Sequence, residues 1–126
     1  MANSTMRVKC SQRFELSMAY NVRATPTVRS CLKKALAYLV DVFCSPQAAA
    51  RLADSYDLAI LALEKNPTFC PTDYYASKLF HRPIYKKQVG NYLLYFFVED
   101  NDVVAFSFLH KRQNKYTHLR ADYDET

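Results

Sequence analysis

The chain has 126 residues, a formal net charge of +5, half its residues hydrophobic, and a single glycine, Gly90. A glycine content of about 7% is usual, roughly nine in a chain of this size, so the shortfall excludes a dinucleotide loop, a Walker-type phosphate loop and a Gly-x-Ser-x-Gly nucleophile elbow. The length suits one domain with one real core, the longest apolar run (residues 92–98) is too short to span a membrane, and the N-terminus lacks the apolar stretch of a secretory signal.

Residues 1–17 are mixed and aperiodic and read as an extension ahead of a domain spanning 18–119. Residues 19–24 alternate as a strand does. Thr25-Pro26 is a helix start, a capping hydroxyl followed by proline at the first helical position. Val28, Cys31, Leu32, Ala35, Leu36, Leu39, Val40 and Phe43 then recur at helical spacing, predicting a helix that ends near Cys44. Ser45-Pro46 repeats the start signal, and Ala49, Leu52, Ala53, Tyr56, Ala59, Ile60 and Leu63 make a second stripe that Asn66-Pro67 stops. Two amphipathic helices joined this tightly predict an antiparallel hairpin.

Residues 68–83 are irregular and predict a loop or a short extra helical turn. Three β-rich runs follow, 84–89, 92–99 and 103–110. Gly90-Asn91 joins the first two as a two-residue hairpin needing positive φ, and Asp100-Asn101 turns between the second and third. The tail, 120–126, is polar and acidic and is expected to fray. The order predicts an α+β fold: an N-terminal strand, a two-helix antiparallel hairpin, then a three-stranded antiparallel β-meander. Residues 92–98 are apolar on both faces, so the face away from the helices is expected to be covered by residues 1–17, a second copy or a partner, or to be a binding patch. Cys10, Cys31, Cys44 and Cys70 form no Cys-x-x-Cys and no pairing with histidine at zinc spacing. They read as free thiols in a reducing cytoplasm, and no metal or cofactor is expected.

The wording of several segments resembles the RelE/ParE toxins of bacterial type II toxin–antitoxin (plasmid stabilisation) modules. Met18-Ala19-Tyr20 resembles the family's opening strand, and Ser45-Pro46-Gln47-Ala48-Ala49 its second helix. Val89-Gly90-Asn91-Tyr92-Leu93-Leu94-Tyr95 is similar to its hairpin, usually glycine then Tyr-Arg-x-x-Tyr. Residues 104–112, ending Leu109-His110-Lys111-Arg112, resemble its last strand and basic exit. The resemblance places residues 1–17 ahead of the family's usual start, with a translation start at Met18 as one hypothesis, and implies a cytoplasmic toxin, a cognate antitoxin and one of two mechanisms. RelE-like members cleave mRNA on the ribosome without a metal; ParE-like members inhibit DNA gyrase by binding it. A non-toxic binding or dimerisation module on the same fold is a third reading.

The first mechanism requires a base for the 2′-hydroxyl, cations for the phosphorane and an acid for the leaving oxygen. The resemblance places Lys86 and Lys87 on the lysine-bearing strand, where alternation puts them on opposite faces. It places His110 and Arg112 at the basic exit, suited to proton transfer and phosphate clamping. Lys111 adds charge for a phosphate substrate. Tyr116, with His118 beside it, falls where RelE-like toxins carry a tyrosine. His81 and Arg82 precede the meander, with a phosphate role open to Arg82. Leu93 departs from the family's arginine and shares a face with Tyr95 and Phe97, an apolar face suited to binding. The basic exit tilts the expectation narrowly to RNA cleavage, with gyrase inhibition the alternative.

Overall fold

A computed structural model describes residues 20–113 and 115–125, without the side chains of Lys115 and Tyr116. Residues 1–17 and the strand-opening Met18-Ala19 therefore lie outside the described residues. The elements run in the order β1 (Asn21–Ala24), α1 (Pro26–Asp41), α2 (Pro46–Lys65), a 3₁₀ turn (Pro67–Phe69), α3 (Tyr74–Phe80), β2 (Tyr85–Val89), β3 (Tyr92–Glu99), β4 (Asp102–His110) and α4 (Lys115–Asp124).

Both long helices begin at the proline their caps announce. The Thr25 hydroxyl accepts from the Val28 amide at 3.4 Å, and the Ser45 hydroxyl from the Ala48 amide at 3.2 Å. Such caps are worth about 1 kcal/mol each. α1 stops at Asp41, short of Cys44, because the chain must turn sharply to reach Pro46. Cys44 takes the left-handed conformation (φ 52°) that a glycine would otherwise supply.

The sheet has four strands in the order β1–β4–β3–β2. β2, β3 and β4 pair antiparallel in sequence, through Gly90 at φ +61° and Asp100 at φ 57°. β1 pairs in parallel with β4, Asn21 opposite Asp102 and Ala24 opposite Ala105. The sheet is thus mixed, and the expected pattern of an antiparallel meander under two helices needs correction. The described residues hold four helices, and they lie on both faces of the sheet.

The hairpin of α1 and α2 covers one face. Val28, Ala35, Leu52, Ala59 and Leu63 pack there on Val89, Leu94, Phe96, Val103, Ala105 and Phe108. The other face, left open in the sequence reading, is closed by α3 and α4. Ala76 and Leu119 are fully buried there against Ile84, Tyr95, Phe97, Phe106 and Leu109, and Tyr123 stacks on Phe80 with centroids 4.1 Å apart. The tail expected to fray is therefore largely helical through Asp124 and part of the core. Its polar composition misled because two apolar side chains one turn apart, Leu119 and Tyr123, suffice to dock one stripe.

A register shift interrupts the β3–β4 ladder. Tyr95 lies opposite Ser107, and Phe96 opposite Ala105, so Phe106 is the extra residue of a bulge. Phe106 and Ser107 both face α4: Phe106 meets the Tyr123 ring edge-on at 5.4 Å, and the Ser107 hydroxyl donates to Asp122 at 2.7 Å.

Burial of α4 against the sheet pushes the Asp122 carboxyl above the usual carboxylate range, and the Ser107 hydrogen bond and nearby His118 oppose this only in part. The folded chain therefore binds this proton more tightly than the unfolded one, and stability falls as pH rises through the interval between the two values. Asp122→Asn keeps an acceptor for Ser107 without the buried charge. It is expected to melt higher than the native chain at pH 7, with the difference closing below about pH 4; equal melting curves at both pH values would rule this out.

Candidate functional site

β4 leaves the sheet at His110, and the basic run His110-Lys111-Arg112 turns over the Gly90-Asn91 hairpin. The Lys111 amide donates to the Asn91 carbonyl at 3.0 Å. The His110 amide donates to Gln113 Oε1 at 2.7 Å, and the Arg112 amide donates to His110 Nδ1 at 3.2 Å. That last bond makes Nδ1 the acceptor, so neutral His110 carries its proton on Nε2. The imidazole meets Tyr92 edge-on at 5.1 Å, and Tyr92 lies parallel to Phe108. Burial pushes the Tyr92 phenol up from its ordinary value, so it stays protonated at neutral pH.

A cleft of about 390 Å³ collects Phe43, Asn91, His110, Lys111 and Arg112. It adjoins a second, of about 380 Å³, in which His110 lies with Tyr38, Arg51 and Tyr92. Phe43 and Arg51 join this site from the α1–α2 hairpin. No local pattern marks them, because each reads as an ordinary position on an amphipathic helix or its end.

Lys86 and Lys87 lie elsewhere, on opposite faces of β2 as alternation requires. Lys86 pairs with Asp73 at 3.7 Å. The Asp73 side chain is 5% exposed and caps α3, accepting from the Ala76 amide at 2.9 Å. Lys86 is thus the counter-ion of a buried cap. Asp73 was missed in the sequence although an aspartate three residues before an alanine in a weakly apolar run is a helix-start signal. Lys87 faces the α2 side and lies near Cys70, whose thiol is pushed up by burial and lowered in part by that ammonium. Both lysines and Leu93 line a groove of about 680 Å³ with Phe69 and Cys70.

Arg82 falls in a third place. Its guanidinium lies 4.0 Å over the Phe97 ring and 3.8 Å from Glu99. Arg23 and Arg29 share its cleft of about 780 Å³. His81 is the left-handed C-cap of α3, at φ 59°. His118 is exposed on α4, and Tyr116 falls in the first turn of that helix with its side chain outside the described residues. Tyr95 is fully buried and Phe97 is 5% exposed, both under α3 and α4. The apolar face of Leu93, Tyr95 and Phe97 is therefore core at two of its three positions. The two clefts lined by His110 include neither Lys86 nor Lys87.

The described residues thus form a helix hairpin on a mixed sheet with a basic strand exit, and none of their helices is long and apolar enough to cross a membrane. The family model of the ParE toxin of type II toxin-antitoxin system, parDE, matches residues 22–115. The chain belongs to this family, and so to the RelE/ParE superfamily of toxins. Its membership implies a cognate antitoxin as partner. No curated protein matches the chain.

Proposed function

We propose that this toxin stops growth by binding DNA gyrase, and not by cutting RNA. The observation that carries the reading is the dispersal of the cationic side chains. Phosphoryl transfer needs base, acid and cations converging on one phosphate. Here His110 and Arg112 line one cleft, Lys86 and Lys87 another, and Arg82 a third. Lys86 is tied to Asp73, and Leu93 stands where RelE-like nucleases carry arginine. A protein-binding toxin needs a surface rather than a convergent constellation.

Ribosome-dependent, metal-independent mRNA cleavage is the second reading. It is favoured by the His110 imidazole, oriented through Nδ1 beside Arg112 with Nε2 left for proton transfer. Two assays separate them. Purified chain in excess is expected to abolish supercoiling by gyrase, and induction is expected to produce no new mRNA ends by primer extension. Undisturbed supercoiling with fresh cleavage ends in arrested cells would reverse the assignment.

A further inference from the structure

One corner of the sheet's second face, beside β1, carries a cleft of about 780 Å³. Val22 and Ala24 pack toward the α1–α2 hairpin, so alternation turns Arg23 to the other face. There Arg23 lies opposite Val104, and Val104 opposite Phe97, one row across β1, β4 and β3. Neighbouring strands lie about 4.8 Å apart, so the backbones of Arg23 and Phe97 are roughly 10 Å apart. The Arg82 guanidinium covers the Phe97 end of the row at 4.0 Å, and Arg29 borders the same cleft from the start of α1. Three arginines from three separate parts of the chain thus meet around Val104.

Among the described residues neither Arg23 nor Arg29 forms an ion pair. Like charges gathered around one recess repel unless an anion stands between them. Two carboxylates border the cleft, and each has a partner. Glu99 lies 3.8 Å from Arg82, and Glu125 accepts from the Thr27 hydroxyl at 2.6 Å. Glu125 lies just past α4, yet it meets the first turn of α1, which carries no acidic residue of its own. A carboxylate from the far end of the chain thus supplies the negative charge that this corner favours. We propose that the cleft binds a phosphoryl group carried on a small molecule, held by Arg23, Arg29 and Arg82, for which Glu125 is the internal stand-in. Guanidinium forks match phosphate oxygens in pairs. A chain whose one glycine lies in the β2–β3 turn holds phosphate by such side chains and not by a glycine-rich loop. The arginines surround a recess instead of forming a stripe along one element, which suits a compact terminal phosphate better than a polynucleotide backbone. The site is separate from the basic exit at His110, and the inference stands apart from the target proposed above.

The test is calorimetric titration of the full chain with tripolyphosphate, ATP and adenosine at fixed ionic strength. Saturable binding of tripolyphosphate and ATP is expected, and none of adenosine. Tighter binding of ATP assigns the ligand to nucleotides, and equal binding assigns it to bare phosphate chains. The double variant Arg23→Gln, Arg29→Gln changes exposed positions only and is expected to weaken both about tenfold. Glu125→Gln is expected to tighten both by removing the competing carboxylate. In the native chain, the amide resonances of Ala24, Arg29 and Glu125 are expected to shift on titration while those of His110 and Arg112 stay in place, a readout that needs no variant. The proposal is overturned by absent binding, by binding of adenosine alone, or by binding that survives the loss of Arg23 and Arg29. Binding that Arg112→Gln removes, or a DNA duplex held through Arg23 and Arg29 where tripolyphosphate is not, overturns it equally.

Discussion

A chain ending at Gln113 is expected to expose a large apolar surface and to associate. The composition of residues 120–126, the end of this segment, argues the opposite, since a polar acidic tail reads as dispensable. In the fold, however, Leu119 is fully buried and Tyr123 touches Phe80, Phe97 and Phe106. Burying a leucine is worth about 1.5–3 kcal/mol, and each aromatic pair adds about 0.5–1.5 kcal/mol. Loss of α4 uncovers Phe97, Phe106 and Leu109 on a sheet face that, among the described residues, is otherwise covered in this region by α3. The shortened chain should bind an apolar dye, scatter light at concentrations where the full chain does not, and melt well below it. A shortened chain with unchanged melting and no added dye binding would show that α4 contributes nothing to the core.

Phe106→Ala is expected to lower the unfolding free energy by about 3–5 kcal/mol. Phe106 is fully buried and is the extra residue of the β4 bulge. Its ring meets Phe80, Phe97 and Tyr123 at centroid separations of 6.0, 5.9 and 5.4 Å. It therefore joins α3, β3 and α4 at one point. Removing it leaves a cavity that rigid neighbours on a sheet cannot close, so the cost falls at the high end for a core residue. Denaturant unfolding followed by far-ultraviolet dichroism measures it. A loss below about 1 kcal/mol would mean that the second face is loosely packed.

Much of the scaffold was legible in the sequence. The starts of α1 and α2 followed from Thr25-Pro26 and Ser45-Pro46, and the β2–β3 hairpin from Gly90 between two apolar runs. The opposite faces of Lys86 and Lys87 followed from strand alternation alone. The distribution of the site residues was not legible. Strand order decides whether two basic residues far apart in sequence share a cleft, and β4 separates from β2 by the full width of β3. The burial of Tyr95 and Phe97 likewise depends on helices whose own stripes are short, Ala76 with Phe80 and Leu119 with Tyr123, and too brief to stand out from their polar neighbours.

The sequence by itself determined the helix starts and the tight turns, because each rests on bonds or dihedrals within three or four residues: a hydroxyl reaching an amide, or one glycine at positive φ. Only the tertiary structure decided which way the basic exit faces. A strict alternation from Val103, which faces the α1–α2 hairpin, would turn His110 to the opposite face. The bulge at Phe106 adds one residue, and His110 comes to lie beside Tyr92 and Phe43 on the helix-hairpin side. A bulge is a mismatch between two strands, so neither strand's own pattern contains it.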